Sequence, residues 1–343
     1  MSEYTSSAYD TDRAKPETIL FPAQSTVLDE SVLLQRIVSR YEVGTAKSCR
    51  FLSRGDADIY RVTTGEADYY LKVYRPPREA AHVEAEACFV AELDAAGVPV
   101  VRAVRRLDGQ YASEAWASEG TRPMLLFEEA PPPLPKDPTA EQMRALGETV
   151  ARVHDLGDAR GAGDAIPTFG LETLEAERAS HIRRFTSEQD AALMASVIDW
   201  LRPQLAKTPR EAPEWGLCHA DLVLSNVRAR GDDVSLFDFG GLSRTYRAYD
   251  LAVVYWSLEH RSEQRVETGW EAFLAGYEQI RPLPEHLRER LPAFRVLREL
   301  AFLGGNAATL PLRLGTEPFE SDFMKEGFDR IRAILSEAGA TFP

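Results

Sequence analysis

Residues 216–241 read GLCHADLVLSNVRARGDDVSLFDFGG, and the fold is decided in this stretch. A short apolar run, Trp215–Cys218, leads into His219-x-Asp221-x-x-x-x-Asn226. A second apolar run, Val234–Phe237, ends on Asp238-Phe239-Gly240. Pairing the strands on either side of Arg230–Asp233 brings Asn226 and Asp238 side by side. Phosphoryl transfer from a nucleotide needs a group that accepts or orients an acceptor hydroxyl. It also needs hard oxygen ligands that hold Mg²⁺ on the phosphates. In that reading Asp221 is the base, Asn226 a neutral metal ligand and Asp238 an anionic one. H-x-D-x-x-x-x-N alone describes many surface loops in an acidic protein; followed by an apolar strand ending in D-F-G it is specific. His219 follows Leu217 and Cys218 and reads as a packed, hydrogen-bonded scaffold residue rather than the base.

Upstream, three short strands are expected at Cys49–Ser53, Ile59–Thr63 and Tyr69–Tyr74, with Gly55 and Gly65 in the turns of an antiparallel meander. Lys72 lies in the third, where kinase folds carry the lysine that meets nucleotide phosphates and pairs with a helix glutamate. A helix is expected from about Glu79 to Ala95, stopped by Gly97 and Pro99. On it Val83, Glu86, Val90 and Leu93 share one face. A glutamate on an apolar stripe is costly to bury unless paired, and Lys72 is its natural partner; a solvated edge-of-stripe position is the other reading. Glu84 and Glu92 do not fit the stripe. The loop Ser53–Asp58 sits where a nucleotide-covering turn would lie, but its single glycine makes the signal weak.

Further strands are expected at Val100–Val104, Ala112–Ala117 and Pro123–Glu129. The proline run in 130–135 cannot continue a sheet or start a helix, so a lobe boundary is placed near residue 130. Helices are expected over Glu141–Asp155, Glu172–Phe185, Ala191–Leu205 and from about Tyr249 onward. The result is an α+β, two-lobed, protein-kinase-like chain: a mobile tail over 1–25, preceding a helix at 27–41, then an N-terminal lobe over 26–129 and a helical C-terminal lobe over 130–343.

Bulk properties bound the function. Forty basic against 54 acidic residues give a formal net charge of -14, which disfavours nucleic-acid and anionic-membrane partners. No apolar run approaches the ~20 residues that span a bilayer, and the polar N-terminus lacks a secretory pattern, so the expected location is the cytoplasm. Cys49, Cys88 and Cys218 are widely separated and suggest neither a zinc site nor a disulfide framework.

The segments LKVYRP (71–76), GVPV (97–100), MLLFEEA (124–130), LGETVARVH (146–154), CHADLVLSN (218–226), FDFGG (237–241) and YDLA (249–252) occur in the order of a known family. In these the chain resembles the aminoglycoside phosphotransferase, choline kinase and type II homoserine kinase superfamily, and looks nearest to its stress-response kinase A branch. The resemblance implies an ATP-dependent phosphotransferase using Mg²⁺. Lys72 would bind the α- and β-phosphates, held by Glu86, and backbone groups of Glu128 and Ala130 would meet the adenine. Asp221 would be the catalytic carboxylate, Asn226 and Asp238 the metal ligands, Asp250 a scaffold carboxylate and His154 a structural histidine. Two departures stand out. Many relatives have H-G-D at 219–221 and D-F-D or D-L-D at 238–240.

Eleven residues separate Asp238 from Asp250, too few for a long activation segment. This favours a small-molecule hydroxyl acceptor, with a protein or peptide Ser/Thr acceptor as the alternative and a nucleotide-binding regulator without turnover as a third reading. Glu259, Glu263, Glu267 and Glu271 recur every four residues. They form either a solvated helix face or a site for a cationic acceptor.

Overall fold

The computed structural model describes residues 25–160, 165–261, 266–309 and 322–340. The expected tail falls almost wholly outside them. The N-terminal part is built on an antiparallel five-stranded sheet of order β1-β2-β3-β5-β4. Its strands are β1 (Ser48–Arg54), β2 (Ala57–Thr63), β3 (Asp68–Tyr74), β4 (Ser113–Ala117) and β5 (Gly120–Glu128). Strand alternation divides its side chains between two faces. Tyr60, Val62, Leu71, Val73, Met124 and Leu126 pack beneath α1 (Glu30–Arg36) and the short 3₁₀ turn Val38–Arg40. The opposite face, with Tyr74 and Leu125, packs on Val83 and Ala87 of α2 (Ala80–Ala95). Lys72 shares that second face, because it alternates with Leu71 and Val73.

The helical part comprises α3 (Ala140–Arg160), α4 (Leu171–Glu177), α5 (Ala179–Arg184), α6 (Glu188–Ala206), α7 (Arg247–Arg261), α8 (Val266–Ile280), α9 (Glu285–Thr309) and α10 (Phe323–Glu337). Two small antiparallel ribbons sit among them: β6 (Trp215–Cys218) with β9 (Ser243–Tyr246), and β7 (Val227–Arg230) with β8 (Asp233–Leu236). One large core joins the helices and both ribbons.

Three expectations need correction. Val100–Val104 is not a strand. Val101 donates to Leu236 and Val104 to Leu126, so its hydrogen bonds are split between two sheets and no ladder forms. The helix expected over Glu172–Phe185 breaks at Arg178 into α4 and α5, and the Arg178 guanidinium donates to the Ala301 carbonyl of α9 at 2.7 Å. The helix expected at 27–41 is shorter, one α-helix followed by a 3₁₀ turn.

Helices α3 and α8 approach closely enough to need glycine on both. A methyl group on Gly276 would overlap the Arg144 carbonyl, and one on Gly147 the Phe273 carbonyl. Both obstacles are backbone, which cannot swing aside. Alanine is favoured over glycine in a helix interior by about 1 kcal/mol, yet here the overlap dominates. Gly276→Ala is therefore expected to destabilise the fold by about 1–3 kcal/mol, measured by urea unfolding. An unchanged or raised midpoint would show that the helices can move apart without loss.

Candidate active site

The site begins with a buried carboxylate. Asp250, in the first turn of α7, accepts the His219 N–H at 2.9 Å and the Ala220 N–H at 2.7 Å. His154 of α3 donates from Nε2 to the same carboxylate at 3.1 Å, while its Nδ1 accepts from the Tyr277 hydroxyl at 2.8 Å. Ala220 bends the chain here with φ 60°, a left-handed conformation that costs a residue with a Cβ about 1–2 kcal/mol. That conformation supplies a physical reason why glycine is common at this position in the family the sequence resembles. Leu224 N–H donates to Ser257 Oγ at 2.8 Å, a second tie from the loop to α7.

His219 joins the two halves of the motif. Its Nε2 donates to the Phe237 carbonyl at 3.1 Å, and its Nδ1 accepts the Asp221 N–H at 3.3 Å. Across the β7–β8 ribbon, Val227 faces Leu236 and Phe237 N–H donates to the Asn226 carbonyl at 3.2 Å, so Asn226 and Asp238 emerge together. The Asn226 amide donates from Nδ2 to the Asp221 carbonyl at 3.0 Å and to Asp221 Oδ2 at 3.2 Å. Its Oδ1 takes no part in these two bonds. Asp238 also has a left-handed backbone, φ 62°, and its Oδ1 accepts from Lys72 Nζ at 2.5 Å. A Cβ on Gly240 would lie 2.8 Å from Lys72 Nζ and 3.1 Å from Asp238 Oδ1. Glycine at 240 keeps that space clear.

The lysine's partner differs from expectation. Glu86 is buried at 3% exposure on the inner face of α2 and accepts from the Tyr74 hydroxyl at 2.6 Å, while the ion pair of Lys72 is with Asp238. Glu86 acts on Lys72 through its field. Burial opposes the lysine's charge, but Asp238 and then Glu86 outweigh it and raise its pKa. Burial likewise works against the Asp238 charge, and the Lys72 ammonium overcomes it, holding that carboxyl below its ordinary value. Tyr74 is pushed well up by burial and by Glu86, which keeps its hydroxyl a donor. Glu84, on another face, accepts the Tyr111 and Ala112 N–H groups and is not available to Lys72.

Glu128 ends β5. Its N–H donates to the Arg102 carbonyl at 3.0 Å and its side chain pairs with the Arg102 guanidinium at 2.7 Å; Ala130 lies just beyond, at the edge of the proline run. Below the Ser53–Asp58 turn, Asp58 is buried and bonded by Arg122 at 2.9 Å, by Arg75 at 3.1 Å and by Arg54 at 3.1 Å.

Two arginines at the site escaped the sequence reading. Arg78, before α2, donates to the Gly240 carbonyl. Arg298 of α9 lies 3.2 Å from Asp221 Oδ1. The acidic series does not form a stripe. Glu259 is on α7 and paired with Arg295, Glu267 and Glu271 belong to α8, and Glu263 lies outside the described residues. His154, Cys218 and Asp250 also bring ligand-type atoms within 4.8 Å of one another. Both His154 nitrogens are used in hydrogen bonds, so the cluster reads as scaffold.

Residues 48–283 match the model of the phosphotransferase enzyme family. The chain belongs to that family. It is accordingly a kinase with a hydroxyl acceptor. An uncharacterised protein of Deinococcus radiodurans is 32% identical over 93% of this chain and 94% of its own length. A homoserine kinase of Hyphomonas neptunium is 29% identical over 78% of this chain and 82% of its own. Among solved structures, a microcompartment-associated aminopropanol kinase superposes with a TM-score of 0.75 at 22% identity, covering 91% of this chain and 99% of that one. These agree with an α+β, kinase-like fold. Among the described residues, no helix is long and apolar enough to cross a membrane.

Burial of His154 makes stability depend on pH. Burial lowers the His154 pKa from 6.5 to about 4. Between those values the unfolded chain binds a proton that the folded chain rejects, so stability falls as pH falls through this window. Urea unfolding at pH 7 and pH 5 is expected to show a smaller loss for His154→Gln than for the unsubstituted protein. Equal losses would place the titration elsewhere.

Proposed function

We propose that this phosphotransferase moves the γ-phosphoryl group of Mg·ATP to the hydroxyl of a small-molecule acceptor. The observation that carries this reading is the convergence of Lys72–Asp238 and Asp221–Asn226 on one junction between the sheet and the helices. Asp238 offers an anionic oxygen and Asn226 a neutral one, a donor set suited to a hard cation that keeps part of its shell for phosphate oxygens. The space that Gly240 leaves beside Lys72 and Asp238 fits that assignment. Asn226 and Asp238 would hold Mg²⁺, which supplies neutralisation of phosphate charge.

The protein's own groups do the remaining work. Lys72 places a fixed positive charge against the phosphates. Glu86, fastened by Tyr74, maintains that charge in a buried setting. Glu128 and Ala130 present backbone groups to the adenine. Asp221, aligned by Asn226 and by its own N–H on His219, receives or directs the proton of the acceptor hydroxyl. Asp250 holds the loop so that no rearrangement is needed at the moment of transfer. The homoserine kinase among the relatives supports a small acceptor, and the short interval before Asp250 supports one over a protein substrate.

Mg·ATP at ~100 times its dissociation constant is expected to stabilise the fold by ~2.7 kcal/mol, read as a rise in melting temperature. Asp221→Asn should keep that rise and lose turnover by about 10²–10⁴. Asp238→Asn should lose the rise as well. Equal, mild effects of both substitutions would contradict this division of labour. A melting rise without ADP formation against any hydroxyl acceptor would identify a nucleotide-binding regulator instead.

A further inference from the structure

We infer that Arg298 sets the charge of the acceptor. The site takes a hydroxyl compound that also bears a carboxylate, and the Arg298 guanidinium binds that carboxylate beside Asp221. This inference rests on the phosphotransferase reading of Asp221.

A buried guanidinium is costly unless an acid is dedicated to it. Arg295, one turn earlier, has two: Glu259 at 2.5 Å and Glu337 at 2.6 Å. Glu299, adjacent to Arg298, is fully buried yet committed elsewhere, accepting Trp256 Nε1 at 2.5 Å and Arg330 at 2.8 Å. Among the described residues Arg298 has no such dedicated acid, and its other side-chain partner is the neutral Tyr249 hydroxyl. The arginine side chain is 10% exposed, and among the described residues its carboxylate partner is Asp221, which is 41% exposed. Asp221 is also the group that must face the acceptor hydroxyl.

The guanidinium has hydrogen-bonding capacity to spare. Among the described residues its Nε is buried without a partner. Its plane is held by aromatic rings, with Trp256 at 4.8 Å and Phe302 at 5.9 Å, and Trp256 is itself locked by Glu299. A rigid fork of donors flanked by aromatic faces matches the planar, two-oxygen geometry of a carboxylate. A cationic acceptor would meet the like charge of Arg298, which reverses the sign expected from the acidic series.

Coupling to catalysis follows. An arriving carboxylate shares Arg298 with Asp221 and weakens the hold of the guanidinium on it. Asp221 can then take the hydroxyl proton as the acceptor oxygen bonds to the γ-phosphorus. The bond from that phosphorus to the bridging oxygen breaks, and ADP departs with the electron pair.

Matched acceptors that differ only by the carboxylate test the inference: homoserine against 3-aminopropan-1-ol, serine against ethanolamine, and 4-hydroxybutyrate against propan-1-ol. The full chain is assayed with Mg·ATP for ADP release and phosphorylated product. At least one carboxylated member should exceed its partner by about tenfold or more in kcat/KM, since a site built for a polar group rejects the analogue lacking it. Arg298→Gln should raise KM for that acceptor by about tenfold and abolish the preference, with the KM for Mg·ATP unchanged. Arg298→Lys, which keeps the charge but not the fork, should recover part of it. Preference for the decarboxylated members overturns the inference. So does an equal fall in kcat for both members with KM unchanged, which would make Arg298 a positioning residue for Asp221 alone. Mg·ATP binding without use of any carboxylated acceptor overturns the inference while leaving the phosphotransferase reading intact. Absence of Mg·ATP binding fails that reading first and this inference with it.

Discussion

The Asp250 carboxylate is the constraint on which the rest of the site depends. It is fully buried, so its charge must be compensated by hydrogen bonds, and the partners found are the His219 and Ala220 N–H groups and His154. Here the two adjacent peptide groups meet the carboxylate with Ala220 in a left-handed turn. The strain is local, and the charge-assisted bonds formed there offset it. From there the geometry propagates. The turn aims His219 at the Phe237 carbonyl, which fixes the strand before Asp238, and His219 Nδ1 receives the Asp221 N–H. One buried carboxylate thus sets the positions of the two carboxylates proposed to serve the reaction.

A second regularity concerns charge. Each acid assigned to the chemistry leans on a cation from a distant part of the chain: Asp238 on Lys72 of the sheet, Asp221 on Arg298 of α9. Glu86 is held differently, by a neutral tyrosine hydroxyl. The contrast is consistent with the roles proposed. In those roles Glu86 sustains a field and need not change partners, whereas Asp238 would exchange a protein cation for metal and Asp221 would exchange one for the acceptor. A pair that is partly exposed can be opened at modest cost; a fully buried one cannot.

Much of this was legible in the sequence because it is encoded in short-range patterns. The alternation in Tyr69–Tyr74 places Lys72 on one face of a strand, and the spacing of Val83, Glu86, Val90 and Leu93 turns Glu86 inward. The succession from His219 to Gly240 contains its own hairpin, so the proximity of Asn226 and Asp238 needs no tertiary knowledge. What escaped depends on contacts between remote segments. Strand β9 exists because four residues find β6. Val100–Val104 has strand-like composition, but its hydrogen bonds are divided between two neighbours. The Lys72–Glu86 pairing was inferred from the cost of burying a glutamate, and the tyrosine two residues along the same strand met that cost instead. Arg78 and Arg298 are ordinary arginines in their local context; only the packing of α2 and α9 brings them to the site.

The acidic series shows why bulk charge is a poor guide to a cleft. A net charge of -14 and glutamates at every fourth position invite a cationic ligand. That periodicity presumes one continuous helix, yet Glu259 and Glu267 lie on separate helices. At the surface a charge is screened within about 8–10 Å, so most of the excess acid is not felt beside Asp221. A buried guanidinium 3.2 Å away, packed on Trp256 and Phe302, is felt strongly. On the role inferred for Arg298, the field that an acceptor meets is set by that buried guanidinium, and the surrounding negative charge acts on solubility and long-range encounter instead.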